Sequence, residues 1–110
     1  MTEQRHIDIA HLFKNLGKDF PEELEAFKSL SRVLERDGAL DKKTKDLILV
    51  ALSCATRCEK CIAVHIRNSV MNGANKQEIL EAAMMNVLFR GGSGIMDMQV
   101  VYEELYNHFD

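Results

Sequence analysis

The sequence predicts an all-α protein, a compact bundle of about six helices that forms a single domain over residues 1–110. Apolar residues recur at the three- and four-residue spacing of amphipathic helices along most of the chain. No segment shows the sustained alternation of apolar and polar residues that is typical of strands. Pro21 is the one proline, and a length of 110 residues suits one hydrophobic core.

Recognised start and stop signals bound the predicted helices. Asp41 is placed to cap the third helix, and Asn75 caps the fifth with Glu78 in the capping-box position. The third helix is apolar nearly all round, so we expect it at the centre of the bundle. The predicted helices span, in order, about 5–17, from 19 or 20 to the Asp37-Gly38 break, about 42–56, about 59–71, from the Asn75 cap to the Gly91-Gly92 break, and from the Ser93 cap through Tyr106.

Composition and charge exclude several classes of partner. A net charge of −3 argues against nucleic acid, because phosphate binding needs a basic face. No run approaches the roughly 18 apolar residues of a membrane span. The first residues lack the long apolar stretch of a secretory signal, so we expect a cytoplasmic protein with neither membrane nor nucleic acid as a partner.

The three cysteines, Cys54, Cys58 and Cys61, lie within eight residues of each other. A disulfide between Cys58 and Cys61 would close a very short loop and would restrict the unfolded chain little. In a reducing compartment such a pair is typical of catalytic, redox-sensing or metal-binding sites. Cys54 falls within an apolar helix and is interpreted as a small core residue.

Cys58 and Cys61 stand at the predicted start of the fourth helix. Free backbone N–H groups and the positive end of the helix dipole stabilise a thiolate there, and a helix N-terminus lowers a cysteine pKa from about 8.5. His65 follows Cys61 by four residues, on the same helical face. An imidazole there can accept the thiol proton and return it later, so the segment is interpreted as a redox-active dithiol with a nearby base.

The chain resembles the carboxymuconolactone decarboxylase / alkylhydroperoxidase D-like family over about residues 40–95. The resemblance is carried by the Cys58-X-X-Cys61-X-X-X-His65 motif between two helices, with a Gly-Ala turn after it. In the redox branch of that family an acid twelve positions before the first cysteine joins a proton relay with the histidine. Asp46 holds that position here, where the family has glutamate, so the acid is kept and its reach is shortened. Taken alone, Asp46 suits an exposed site in the first turn of a helix.

The resemblance also implies an all-α subunit that assembles as a trimer or hexamer, with the dithiol near a subunit interface. It suggests a thiol–disulfide oxidoreductase with alkylhydroperoxidase-like activity. Our hypothesis assigns the first attack on a peroxide or disulfide substrate to Cys61 and the resolving step to Cys58. A thioredoxin-like or lipoyl protein would then return the electrons as an external dithiol. The decarboxylase branch typically lacks both cysteines, which argues against lactone decarboxylation.

Rival hypotheses use the same residues. Cys58, Cys61, His65 and Asp46 could instead bind zinc. The Cys-X3-Cys-X2-Cys spacing that includes Cys54 also matches the iron–sulfur motif of radical enzymes, although those enzymes need a much longer chain.

A non-catalytic assembly protein is a third possibility. Its interface could include four methionines, Met84, Met85, Met96 and Met98. For at least Met84, a position in the hydrophobic core is the preferred interpretation. No cofactor is predicted, because Gly91-Gly92-Ser93-Gly94 follows a helix and not a strand.

Overall fold

The computed structural model describes residues 2–109, and within that range the backbone forms six α-helices and no strand. The predicted all-α fold is therefore confirmed. None of these helices is long and apolar enough to span a lipid bilayer. The helices are α1 (Thr2–Asp19), α2 (Pro21–Glu35), α3 (Lys42–Ala55), α4 (Glu59–Met71), α5 (Lys76–Arg90) and α6 (Gly92–Phe109).

Two predicted N-caps are confirmed. Asp41 accepts a hydrogen bond from the Thr44 backbone N–H with 2.7 Å between oxygen and nitrogen. Asn75 and Glu78 form the full capping box, each side chain accepting from the backbone N–H of the other residue. These local contacts start α3 and α5 where the sequence indicates.

The break between α1 and α2 lies later than predicted. α1 continues through Gly17 to Asp19, and Phe20 alone separates it from α2. A proline disfavours helical backbone in the residue before it, and Phe20 accordingly has φ −136° and ψ 60°. Pro21, and not Gly17, therefore ends the first helix.

The start of α6 also differs from the prediction. The helix begins at Gly92, and the Ser93 hydroxyl donates to the Arg90 carbonyl at 3.3 Å instead of capping the helix. Gly91 turns the chain with φ +71°, a conformation that favours glycine. At Gly94, α6 approaches α5 so closely that a Cβ added to this glycine would lie 2.6 Å from the Asn86 carbonyl oxygen. Glycine geometry, not a side-chain cap, sets this turn.

The core lies where α3 to α6 pack together. α3 contacts both α4 and α5, so its predicted central position is confirmed. One of its faces is nevertheless open, with Ile48 and Leu52 about half exposed. The buried apolar cluster contains Val50, Cys54, Ile62, Ile66, Ala74, Ile79, Ala83, Met98, Val101 and Leu105.

A buried charge cluster holds α1 against α4 and α6. The Glu104 side chain has no exposed surface, and its carboxylate contacts Arg5 and His6, each at 3.0 Å. Arg5 also pairs with Glu103 on α6 and with Glu59 at the start of α4, each at 2.9 Å. Because a buried carboxylate needs such partners, the N-terminal half of α1 is fixed beside the start of α4.

α2 packs far less completely. None of its residues is buried, and four members of its apolar stripe are more than half exposed: Phe27, Leu30, Val33 and Leu34. The C-terminal end of the helix is tied to α3, because the Lys45 ammonium donates to the carbonyls of Leu34 and Arg36 at 2.9 and 2.7 Å. α2 packs on α1 and α3 and forms one side of an open groove whose other sides are α1 and α4.

The distribution of the methionines between the core and the surface differs from the prediction. Met84 was expected in the core, but 46% of it is exposed, because it lies on the outer face of α5. Met85 and Met96 are more exposed still, whereas Met98 belongs to the core. The core assignment for Met84 was wrong, since helical spacing alone does not separate a buried face from an exposed apolar one.

The close approach at Gly94 gives a stability prediction. Gly94→Ala would force a methyl group against the backbone of α5, so we expect a loss of about 1–3 kcal/mol in the free energy of unfolding. Gly92→Ala is the matched control, because nothing lies within 4 Å of its added Cβ. Urea denaturation measures both, and equal stability of the two variants would contradict this packing.

Candidate functional site

A short turn from Thr56 to Cys58 joins α3 to α4 and leads directly into the cysteine pair. Within it, Arg57 has φ 59°, which is uncommon for a residue other than glycine. The Arg57 guanidinium donates to Asp97 on α6 at 3.0 Å, and the Cys58 N–H donates to the Ser53 carbonyl at 3.2 Å. These bonds hold the left-handed turn that aims the chain into α4.

The cysteine pair occupies the first turn of α4, as predicted. Cys58 is the N-cap, and its sulfur accepts a hydrogen bond from the Cys61 backbone N–H with 3.2 Å between nitrogen and sulfur. The two residues form a disulfide, with their Cα atoms 5.2 Å apart. After reduction, the same N–H group and the helix dipole would stabilise a Cys58 thiolate.

Cys61 opens into a groove between α1, α2 and α4. The groove encloses about 550 Å³, and its walls combine apolar side chains such as Phe13, Phe27 and Val64 with a polar rim. His65 lines the same groove one helical turn after Cys61. The structure therefore brings Cys61 and His65 to one surface, whereas Cys58 does not line it.

His65 is partly buried, and its Nδ1 atom has no hydrogen-bond partner within residues 2–109. Burial lowers the pKa of this imidazole below its usual 6.5. The nearby carboxylates of Glu35 and then Asp46 act in the opposite direction. His65 is therefore mainly a neutral base near pH 7, the form that can accept a proton from a thiol.

Asp46 is buried rather than exposed, with 1% of its surface accessible. Its carboxylate accepts a hydrogen bond from the Asn72 side-chain amide at 2.7 Å. Burial raises the pKa of Asp46, while Asn72 and the charges of Lys42 and His65 lower it less. No hydrogen bond joins Asp46 to His65 in the part of the chain that the structure describes, so the two interact only through space.

Glu35, the last residue of α2, is the acid that the sequence did not indicate. It lines the groove with Cys61 and His65, and it also lines a smaller cleft with Asp46. Its place near His65 follows from the packing of α2 on α1 and α3. Nothing in the local pattern around Glu35 carries that information.

Cys54 lies in the buried core, as predicted. It has no exposed surface, and burial together with the charge of Asp97 raises its thiol pKa to about 11. It therefore cannot join the other cysteines in a three-cysteine cluster without opening the core. Within residues 2–109, no three His, Cys, Asp or Glu side chains are arranged to hold a metal ion.

Solved structures share this fold. The apo crystal structure of a carboxymuconolactone decarboxylase family protein from Legionella pneumophila matches with a TM-score of 0.92 and 34% identity, over 99% of this chain and 97% of that one. A protein of the same family from Thermotoga maritima, described in connection with an antioxidative response, matches with a TM-score of 0.78 and 26% identity. That match covers 92% of this chain and 86% of the other.

Two bacterial proteins are similar in sequence. Uncharacterized protein 4 in the cox locus of Paracoccus denitrificans is 42% identical over 69 residues, which are 63% of this chain. The match spans 62% of the Paracoccus protein, less than two thirds of its length. An uncharacterized protein of Cupriavidus necator is 29% identical over 92 residues, covering 84% of this chain and 81% of that protein.

A family model also matches most of the chain. The model for the carboxymuconolactone decarboxylase family matches residues 21–99, which include the whole Cys58-to-His65 segment and Asp46. The match covers well over half of the chain and agrees with the fold of the Legionella and Thermotoga proteins. The chain belongs to the carboxymuconolactone decarboxylase family.

Proposed function

We propose that the protein is a thiol–disulfide oxidoreductase with alkylhydroperoxidase activity. The observation that carries the proposal is the cysteine pair in the first turn of α4, with Cys61 facing the groove that also contains His65. The disulfide between Cys58 and Cys61 is the oxidised state of such a cycle. Lactone decarboxylation, the reaction in the family's name, has no evident use for this pair.

In the first step, His65 accepts the proton of the Cys61 thiol, and the thiolate attacks the terminal oxygen of a hydroperoxide. The O–O bond breaks, and Cys61 becomes a sulfenic acid. The departing alkoxide takes the proton from His65 and leaves as an alcohol. Two electrons have then passed from the sulfur to the peroxide.

In the second step, the Cys58 thiol attacks the sulfenic sulfur, the S–S bond forms, and the hydroxyl group leaves with a proton as water. An external dithiol, a thioredoxin-like or lipoyl protein, then reduces the disulfide by thiol exchange. Each cycle consumes one hydroperoxide and one external dithiol. With a disulfide as substrate, the reduced pair would donate the same two electrons.

The positions of the two sulfurs support Cys61 as the attacking residue. Cys61 lines the groove and has His65 one turn away, whereas Cys58 lies outside the groove at the N-cap. The hydrogen bond from the Cys61 backbone N–H to the Cys58 sulfur suits a resolving thiol, because it stabilises the thiolate that must form on Cys58. Cys58 would therefore be the sulfur that completes the disulfide.

The groove favours an organic substrate. Its apolar walls can bury an alkyl or aryl group, and a volume of about 550 Å³ falls within the range of small-molecule sites. Hydrogen peroxide has no apolar part to fill it. An alkyl hydroperoxide and the dihydrolipoyl arm of a donor protein both match this surface.

The exposed stripe of α2 bears on assembly. An apolar stripe open to water on one helix is typical of a surface that another chain covers. In line with the family resemblance, we propose a homo-oligomer, a trimer or hexamer, with this helix near a subunit contact. A reducing cytoplasm suits the proposed chemistry, because it supplies dithiol donors.

Substitution of each cysteine tests the division of roles. Cys61→Ser should abolish reduction of an alkyl hydroperoxide such as cumene hydroperoxide. Cys58→Ser should stop after one event, with a sulfenic acid on Cys61 that a dimedone probe labels. Mass spectrometry of the labelled peptides measures the outcome.

Cys54→Ala is the control for the cysteine test, and it should retain the wild-type rate, because Cys54 lies in the core away from the groove. Peroxide reduction by Cys61→Ser at the wild-type rate would contradict the proposal. Dimedone labelling of Cys58 in the Cys61→Ser variant would instead show that Cys58 attacks the peroxide and Cys61 resolves.

The role of His65 predicts a specific pH dependence. Because burial lowers the pKa of His65, the neutral base persists below the usual 6.5 and is lost only as the pH falls through that lowered value. Peroxide reduction should therefore remain high at pH 6.5–7 and decline on the acidic side. His65→Ala should slow turnover roughly 100-fold near pH 7.

His11→Ala supplies the control for His65, since His11 is an exposed histidine of α1 that does not line the groove. It should keep the wild-type rate at each pH. A His65→Ala variant with an unchanged rate would remove His65 from the mechanism.

A further inference from the structure

We propose that Glu35, more than Asp46, is the carboxylate that stabilises the positive charge of a protonated His65. The inference rests on the proposed function, because it concerns the base of that reaction. Glu35 comes from α2, a different helix from both the cysteine pair and the acid at the family position. It would be a positioning residue, acting on the substrate only through His65.

The position of Glu35 is the first support. Three depressions meet at this residue: the groove with Cys61 and His65, a neighbouring pocket of about 400 Å³ with His65, and a cleft of about 230 Å³ with Asp46. Its side chain is partly buried and makes no hydrogen bond or ion pair with another residue between 2 and 109. The carboxylate is therefore available to a neighbouring cation.

His65 needs such a partner. Its Nδ1 atom is buried and lacks a hydrogen bond among the described residues. When the ring accepts the thiol proton, it becomes a cation in a partly desolvated site, and a nearby carboxylate lowers the cost of that charge. Glu35 exerts the larger favourable electrostatic effect on the charged ring, and Asp46 the smaller one.

The Asp46 carboxylate already has a hydrogen-bond partner other than His65. It accepts the Asn72 amide at 2.7 Å, and the same Asn72 nitrogen donates to the Asn68 carbonyl at 2.9 Å. An aspartate is one methylene shorter than the family glutamate, and here it is held toward Asn72 at the far end of α4. Glu35 would supply the carboxylate that this shorter side chain does not bring to the ring.

The chain holds Glu35 in place although α2 buries no residue. Lys45 on α3 donates to the carbonyls of Leu34 and Arg36, the residues on either side of Glu35. The Asp37 side chain accepts from the Lys42 N–H at 2.7 Å, which ties the following loop to the start of α3. These three hydrogen bonds to residues of α3 therefore hold the chain on both sides of this glutamate.

The other charged groups around His65 do not compete for this role. Lys45 is engaged by backbone carbonyls, and Arg32 on α2 pairs with Glu25 at 3.0 Å. Lys28 and Lys60 reach the rim of the groove as exposed cations, which would disfavour a charged ring. Among the described residues, Glu35 is the one acid that lines the groove and the neighbouring pocket together with His65, and Asp46 lines neither of them.

The test is an NMR titration of the His65 ring in the reduced protein, combined with the pH dependence of Cys61 alkylation by iodoacetamide. Glu35→Gln removes the charge and keeps the size, so we expect about threefold to tenfold lower proton affinity of His65. Cys61 alkylation near neutral pH should slow by a similar factor. Glu35→Asp should keep most of the wild-type proton affinity, because it keeps the charge.

Glu23→Gln is the matched control, an exposed acid of the same helix that lines none of the three depressions. It should titrate like the wild type, and Asp46→Asn should change the His65 titration less than Glu35→Gln does. Thermal melts confirm that the variants fold.

Equal titrations for Glu35→Gln and Glu23→Gln would overturn the inference, as would a larger effect of Asp46→Asn. In both cases peroxide reduction by the wild type would leave the proposed function standing. Absence of peroxide and disulfide reduction by the wild type would reject that function separately.

Discussion

The buried carboxylate of Asp97 holds the turn from which the whole site is built. Asp97 is only 6% exposed, and a buried carboxylate needs hydrogen-bond donors to offset the loss of water. Its donors are Arg57 at 3.0 Å, Asn86 at 2.9 Å and Arg90 at 3.4 Å. Arg90 also donates to the Ala55 carbonyl at the end of α3. The left-handed Arg57 is thus held by Asp97 on α6, and Asp97 is held in turn by Asn86 and Arg90 of α5. Contacts far away in sequence therefore set the direction in which α4 begins.

The chemistry of the site follows from this placement. A cysteine at an N-cap has a free backbone N–H group and the positive end of a helix dipole beside it, so a thiolate is favoured there without a metal. Cys61 and His65 lie one turn apart on the same face of α4, so the helix itself brings them together. The remaining helices add the groove. α1 is fixed by the ion pair between Arg5 and the buried Glu104, and α2 is fixed at its end by Lys45. The groove supplies apolar walls, and its rim supplies the acid that the base requires.

Local signals predicted most of the fold, and they failed where geometry between helices decides. Asp41 and Asn75 cap their helices because capping depends on residues within one turn, which the sequence displays. Ser93 does not, since the close approach of α5 and α6 at Gly94 sets that turn. Met84 looked like core because a helical stripe shows which residues share a face but not what covers the face.

The same distinction between local spacing and packing between helices applies to the residues of the site. Cys58, Cys61 and His65 are linked by spacing on one helix, so the motif alone placed them together. The burial of Asp46 depends on packing between α3 and α4, and pattern alone favoured an exposed position. Glu35 reaches the groove only because α2 packs on α1 and α3 with its last residue near His65, which no local pattern reports.

The most direct test of the central claim is a single-turnover balance on the reduced protein. Mixing it with one equivalent of an alkyl hydroperoxide and quenching in acid allows the alcohol, the remaining thiols and the disulfide to be counted together. The account predicts one alcohol for each Cys58–Cys61 disulfide formed, with Cys54 still a free thiol. Unconsumed hydroperoxide beside two intact thiols, or alcohol formed without that disulfide, would contradict it.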